Sequence, residues 1–392
     1  NEAGALAAAI GSFALSIVLK FALPEMPFIH RVGIVFLLAL ALAVPGVLFL
    51  RNPQWLLGTV TMDAEVASKV TAYLGLLAWG LPASLFYRTF YAFCNALGKP
   101  HVLMGIGLGA LALHALLAWG LALQGWAGEP LGVIGCGLSN IIIAWLACLG
   151  GAAYLAFGPL GKRYRPFADW AAPDARRWRE LLHLGLPMGL SNLVEITSFT
   201  LISLFIASLG ATVVAGHRII ANISALTYML PLSLAIATMA AVGQAVGGRD
   251  WARAHAAIKA GLLLSALLST LVGLLLWLAA APLIAAYTDD PAVRAVAGGL
   301  IIYVALYQFF DALQTVAGHA LRAYRVTFVP MLVQTFCFWG VGLLGGSWLC
   351  YRWSPPLGVA GFWLASVISL VLAAGMLLPL LRKAMQATES PP

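Results

Sequence analysis

The chain has 392 residues, of which 62% are hydrophobic and only 9% charged, and its 22 Lys and Arg outnumber its 14 Asp and Glu for a net charge of +8. Ordinary soluble domains carry about 25% charged residues, and single soluble cores stop growing beyond roughly 250–300 residues, so the composition argues against a soluble globular protein. The basic residues are spread over short loops between apolar runs, which fits the orientation signal of a membrane protein and not a nucleic-acid-binding patch.

In chain order, hydropathy predicts eleven spans, at 6–23, 31–50, 67–97, 102–123, 131–157, 181–208, 213–247, 257–286, 291–321, 326–350 and 357–381. A helix needs about 20 apolar residues to cross a bilayer. Short alternating strands with regular turns, the pattern of a membrane barrel, do not occur. The predicted class is therefore an all-α polytopic membrane protein. Spans 213–247 and 291–321 exceed the bilayer and should tilt or project from it. Residues 158–180 form the longest polar stretch and carry Lys162, Arg163, Arg165, Arg176, Arg177 and Arg179. Placing this linker in the cytoplasm puts fifteen Lys and Arg inside and four outside, with Lys20, Arg88 and Arg218 inside spans. That bias, with Arg322 and Arg325 counted in an inner loop, predicts a cytoplasmic C-terminus; the expected location is the cell inner membrane.

The segment PLGVIGCGL at 130–138 reappears as PLGVAGFWL at 356–364, an offset of 226. Six spans per repeat, an even number, would make two pseudo-symmetric bundles related as parallel repeats, an arrangement that places substrate near the midplane between the halves. The expected organisation is a first lobe at 1–157, a linker at 158–180, a six-helix lobe at 181–383 and a tail at 384–392. The first lobe shows five spans where the second shows six, and the chain starts at Asn1, so a helix preceding 6–23 is expected to be missing.

Of the 14 acids, twelve fall in loops, linker or termini. Glu195 lies mid-span in 181–208 and Asp311 deep in 291–321. An acid at a helix centre costs on the order of 2.5–3.5 kcal/mol on insertion scales, so it must face protein or a wet cavity and is a functional candidate. Two acids in one cavity can exchange a proton or metal ion for a cationic substrate by competition. Tyr303, Tyr307, Asp311 and Gln314 or Thr315 recur at helical spacing, and so do Asn192 and Glu195, flanked by Ser191 and Ser198. Their oxygens suit Na+, which Glu195 and Asp311 would bind, and aromatic faces such as Phe309 and Phe310 suit flat lipophilic cations. His217 and His319 read as helix-bonding or interfacial side chains, and Arg88 and Arg218 as snorkelling ones. Pro45, Pro187 and Pro231 predict kinks. The five cysteines (Cys94, Cys136, Cys148, Cys337, Cys350) form no C-x-x-C pair and predict neither disulfides nor a zinc site. No phosphate-binding G-x-x-x-x-G-K-[ST] loop and no H-E-x-x-H motif occurs, and no organic cofactor or enzyme activity is expected.

The runs GLPMGLSNLVEITSF (185–199), LGATVVAGHRIIANISAL (209–226) and LYQFFDALQTVAGHALRAYR (306–325) resemble the second lobe of the NorM branch of the multidrug and toxic compound extrusion (MATE) transporters. The resemblance implies two six-helix bundles facing each other across a cleft. It also implies export of amphipathic or cationic drugs in exchange for Na+ or H+ by alternating access, by a protein expected to act as a monomer. It maps the family's membrane-embedded cation site onto Glu195, Asp311 and Tyr307; Asn192, Tyr303, Phe309, Phe310 and Gln314, read from spacing and side-chain chemistry, are expected as further substrate contacts. The acidic residue that the family places on its first helix has no counterpart here. A flippase for lipid-linked sugars is the alternative of the same superfold, and it would want a basic cavity for pyrophosphate.

Overall fold

Backbone N–H and C=O groups have no water to bond in hydrocarbon, so a chain this apolar must satisfy them within each segment. The structure, a computed structural model, describes residues 43–52, 64–126, 128–159 and 175–389. Among these residues the regular structure is helical throughout, with no strand. A helical stretch at 43–51 is followed by α1 (Ala64–Ala96), α2 (Pro100–Gln124), α3 (Val133–Phe157) and α4 (Ala175–Ile206). Then come α5 (Ala211–Gly247), α6 (Trp251–Leu278), the short α7 (Ala280–Ala285), α8 (Pro291–Ala323), α9 (Phe328–Tyr351) and α10 (Val359–Glu389). Nine helices among the described residues are long and apolar enough to cross a membrane, and the chain is a polytopic helical membrane protein.

The expected span 6–23 and most of 31–50 lie outside the described residues, as do 160–174 of the expected linker and the last three residues of the tail. The remaining nine spans all appear. The span expected at 257–286 breaks at Leu278, and its end forms α7. Residues 175–180 and 384–389, placed by sequence in the linker and the tail, are helical ends of α4 and α10. Pro187 and Pro231 sit inside α4 and α5. Helix starts follow local chemistry: Asp290 caps α8 by accepting from the amides of Ala292 and Val293, and Pro291 occupies the first turn, where no N–H is missed.

The described residues form two compact units that divide between Gly189 and Leu190. In the first, α3 packs on α1 and α2 around Phe90, Phe93, Cys94, Leu103 and Leu155. In the second, α8 is the central helix, packed on α5, α6 and α10. Its last three turns are buried nearly all round, from Gln314 to Ala323, whereas α6 turns Leu263, Leu264, Leu267, Leu271, Leu274 and Leu275 outward. An apolar ridge of that extent faces lipid.

The repeated segment does the same work in each unit. Gly132 and Gly358 take φ of +53° and +56°, a left-handed turn that side chains avoid, just before α3 and α10 begin. The amides of Leu131 and Leu357 return to the carbonyls of Leu121 and Leu349, both at 3.1 Å. Three residues further on, Gly135 and Gly361 lie against the backbone of the preceding helix, where an added Cβ would come within 2.8 Å of Ala122 or Cys350.

Close approach also governs the packing of α6 on α8: a Cβ at Gly273 would sit 2.8 Å from the Ala305 carbonyl oxygen, whereas one at Gly298 would meet nothing within 4 Å. Gly273→Leu should lower stability by about 1–3 kcal/mol through overpacking, read as a lower melting midpoint of purified protein in detergent. Gly298→Ala should leave the midpoint unchanged or slightly raised. Equal midpoints for the two variants would contradict this packing.

Candidate functional site

Both span-embedded acids belong to the second unit, each on a different helix. Glu195 lies in the middle of α4, half-buried, and accepts a hydrogen bond of 3.4 Å from the Tyr228 hydroxyl of α5. Asp311, on α8, is 2% exposed. Helical spacing brings Gln314 one turn further along, and its Nε2 donates to Asp311 Oδ1 at 3.2 Å and approaches Thr315 Oγ1 at 3.1 Å. Gln334 of α9 donates in turn to Gln314 Oε1 at 3.2 Å. The Thr315 hydroxyl is within bonding reach of Asp311 and of Tyr228, so it links the two acid neighbourhoods. Glu195 and Asp311 interact electrostatically: two carboxylates placed this way repel when both are charged, and a cation or proton between them relieves the repulsion.

Glu195 opens onto a narrow cleft whose walls include Ser198, Phe199, Tyr307, Phe338 and Ser369. Tyr307 stands edge-on to Phe199 and to Trp363, with ring centroids 6.1 Å apart in each pair. One wall is the stretch Phe336–Gly345, where α9 widens into a π-helix. Such widening leaves carbonyls off the regular ladder, and the Ser198 hydroxyl donates to the Phe338 carbonyl at 3.0 Å. Carboxylate, phenol, hydroxyl and amide oxygens are the ligands a hard cation takes. Among the described residues no cluster of three or more His, Cys, Asp or Glu side chains could hold a metal, so a metal ion here would rest on two carboxylates and neutral oxygens.

The other sequence candidates divide. Gln314 joins the acid network directly. Asn192 is buried with its oxygen facing the Arg322 guanidinium, 3.5 Å away, and does not line the cleft. Tyr303 and Phe310 pack against the main apolar cluster of this unit, and Phe310 meets Phe309 edge-on at 5.2 Å. His217 bonds Ser203 at 3.2 Å and faces Trp363, and His319 bonds the Thr315 carbonyl at 2.8 Å, both helix-bonding as the sequence suggested.

Three residues escaped the sequence reading. Tyr228 and Gln334 sit in apolar runs where neither a phenol nor an amide stands out. Arg322 was expected in a cytoplasmic loop because it ends a hydrophobic run. It belongs instead to the last turn of α8, 8% exposed, and its place seven residues, two helical turns, past Thr315 on the Asp311 face was the available signal.

The MatE family model matches residues 25–119 and 187–348. A probable multidrug resistance protein NorM from Aromatoleum aromaticum is 50% identical over 359 residues, covering 91% of this chain and 77% of that protein. Its namesake from Chromobacterium violaceum is 38% identical over 324 residues, covering 81% of this chain and 68% of its own. Among solved structures, an outward-facing multidrug resistance MATE family transporter of the MOP superfamily superposes with a TM-score of 0.88 at 17% identity, covering 100% of this chain and 86% of that one.

The amide chain leading to Asp311 can be tested as a unit. Gln314→Leu should cost about 1–3 kcal/mol by stranding buried partners, measured as thermal stability in detergent. Gln314→Leu with Gln334→Leu should lose less than the sum of the single losses, because the two share one bond. Strict additivity would contradict the amide–amide contact.

Proposed function

The chain belongs to the MatE family, and from that premise we propose that it is a multidrug efflux transporter that exchanges amphipathic or cationic drugs for Na+ or H+. The observation that carries the reading is the pairing of Glu195 and Asp311 within one electrostatic neighbourhood of an otherwise apolar bundle. Glu195 opens on an aromatic- and hydroxyl-lined cleft, which supports direct competition between a small cation and a drug cation for the same charge. Tyr307 supplies a phenol edge at the cleft wall, and Asp311 holds the second negative charge behind it. The NorM names of the relatives support drugs as the substrate class.

In this reading the transporter alternates between two states that differ in affinity for each ligand, since without that difference no coupling arises. One state takes up the cation at Glu195 and Asp311 and releases drug outside; the other collects drug from the cytosol or inner leaflet. The inner membrane, a cytoplasmic C-terminus, a monomeric unit and lobes bounded by the linker at 158–180 complete the proposal. The flippase alternative asks for a basic cavity. Among the described residues Arg322 is the one buried Lys or Arg, and it interacts electrostatically with Glu195, so the chemistry favours a cation as cargo.

Ethidium efflux from cells stripped of their own pumps, under imposed Na+ or H+ gradients, tests the proposal. The unsubstituted transporter should respond to one gradient, and Glu195→Gln or Asp311→Asn should each cut efflux by about tenfold or more, as expected for loss of a charge that exchange depends on. Efflux that survives both substitutions would remove this site; an absence of drug efflux with retained lipid-linked sugar translocation would favour the flippase.

A further inference from the structure

A buried guanidinium needs several acceptors, and Arg322 NH1 has none. It is 8% exposed, and its bond from NH2 to Asn192 Oδ1 is long at 3.5 Å. Arg322 NH1 has no partner, and neither has Nδ2 of Asn192, itself 3% exposed. Two buried donors therefore sit on adjacent side chains with no acceptor within bonding distance, a state that costs free energy unless an acceptor visits. The groups facing this guanidinium are Asn192 and Glu195 from α4, Tyr228 from α5 and His319 from α8 itself. His319 gives Nδ1 to the Thr315 carbonyl, so on a neutral ring its Nε2 is a lone pair and adds no second positive charge. Tyr228 is spoken for, since its hydroxyl donates to Glu195. The one carboxylate in this group is Glu195, a helical turn from Asn192 and free to change rotamer on its cleft side.

We infer that Arg322 is a tethered counter-cation for Glu195, and that the carboxylate swings from the cleft to the Arg322–Asn192 donors whenever the exchanged cation leaves. This rests on the transport reading above and adds a positioning residue to it. With the cation bound, Glu195 faces the cleft and Tyr228. With the cation gone, the carboxylate takes the unpartnered N–H groups of Arg322 and Asn192, so the empty site is neutralised from within the protein and the departing ion is not recaptured. Arg322 thereby sets how tightly the cation binds: it competes for the same carboxylate, weakening binding and speeding release.

The test is cation dependence of ethidium transport by the transporter in proteoliposomes, with maximal rate and half-saturating Na+ or H+ measured separately. Removing the competing charge in Arg322→Gln should lower the half-saturating cation concentration by about tenfold, the size expected for one nearby charge under partial screening, and should slow maximal turnover. Arg322→Lys should stay close to the unsubstituted value. If Arg322→Gln does not fold, Asn192→Asp gives the guanidinium a permanent carboxylate and should shift the concentration in the same direction. In a Glu195→Gln background, neutralising Arg322 should have no further effect. A half-saturating concentration unmoved in both Arg322→Gln and Asn192→Asp, with only the amount of active protein reduced, would overturn the counter-cation role and leave the transport site standing. Cation dependence that persists unaltered in Glu195→Gln alone would overturn the site itself.

Discussion

Charge in an apolar bundle has to be answered locally, because no solvent stands by to do so. The second unit is organised around that requirement. Asp311 lies on the most enclosed helix of the unit and is met by Gln314 and Thr315 of its own helix, with Gln334 of α9 behind them. Glu195 is met by a phenol from α5 and left open on its other side. The difference between the two acids is one of enclosure: Asp311 is fixed within an amide chain, whereas Glu195 keeps room to change partners. The two acids thus differ in how many of their neighbours are fixed around them.

The same requirement explains which residues could be read in advance. Glu195 and Asp311 stood out because acids are scarce in apolar runs, and Tyr307 and Gln314 followed from helical spacing along α8. Tyr228 could not be found that way, since its relevance comes from α5 crossing α4, a contact between residues 33 positions apart. Arg322 illustrates a different limit. A base closing a hydrophobic run reads as the edge of a loop, yet α8 extends to Ala323 and carries the guanidinium into the protein. The existence of nine spans was legible because hydropathy over 20 residues is a strong signal, although α4, α6 and α10 each have an end six to eight residues from the expected one; the break after Leu278 was not legible, because Ala279 and the residues beyond it remain apolar. The division between Gly189 and Leu190 falls inside α4, where nothing in composition marks a seam.

Helix α9 shows how a local irregularity serves the site. Ten residues, Phe336–Gly345, depart from the α-helical ladder, which would be unfavourable in hydrocarbon if the displaced carbonyls were left alone. Ser198, one turn beyond Glu195, answers the Phe338 carbonyl, and Thr197 receives the Trp339 indole N–H at 3.1 Å. The helix bearing the open acid is thus pinned to the irregular helix by two side-chain bonds from adjacent residues.

The paired glycine turns before α3 and α10 have a practical consequence. Side chains around the two segments differ, with Ala360 at the position of Ile134 and Phe362 at that of Cys136 across the offset of 226, while the backbone does not: both have a left-handed glycine and a second glycine pressed against the preceding helix. Volume can be traded between neighbouring side chains, but a position lacking room for any Cβ admits only glycine. Such positions are the fixed points from which the two segments can be put into register.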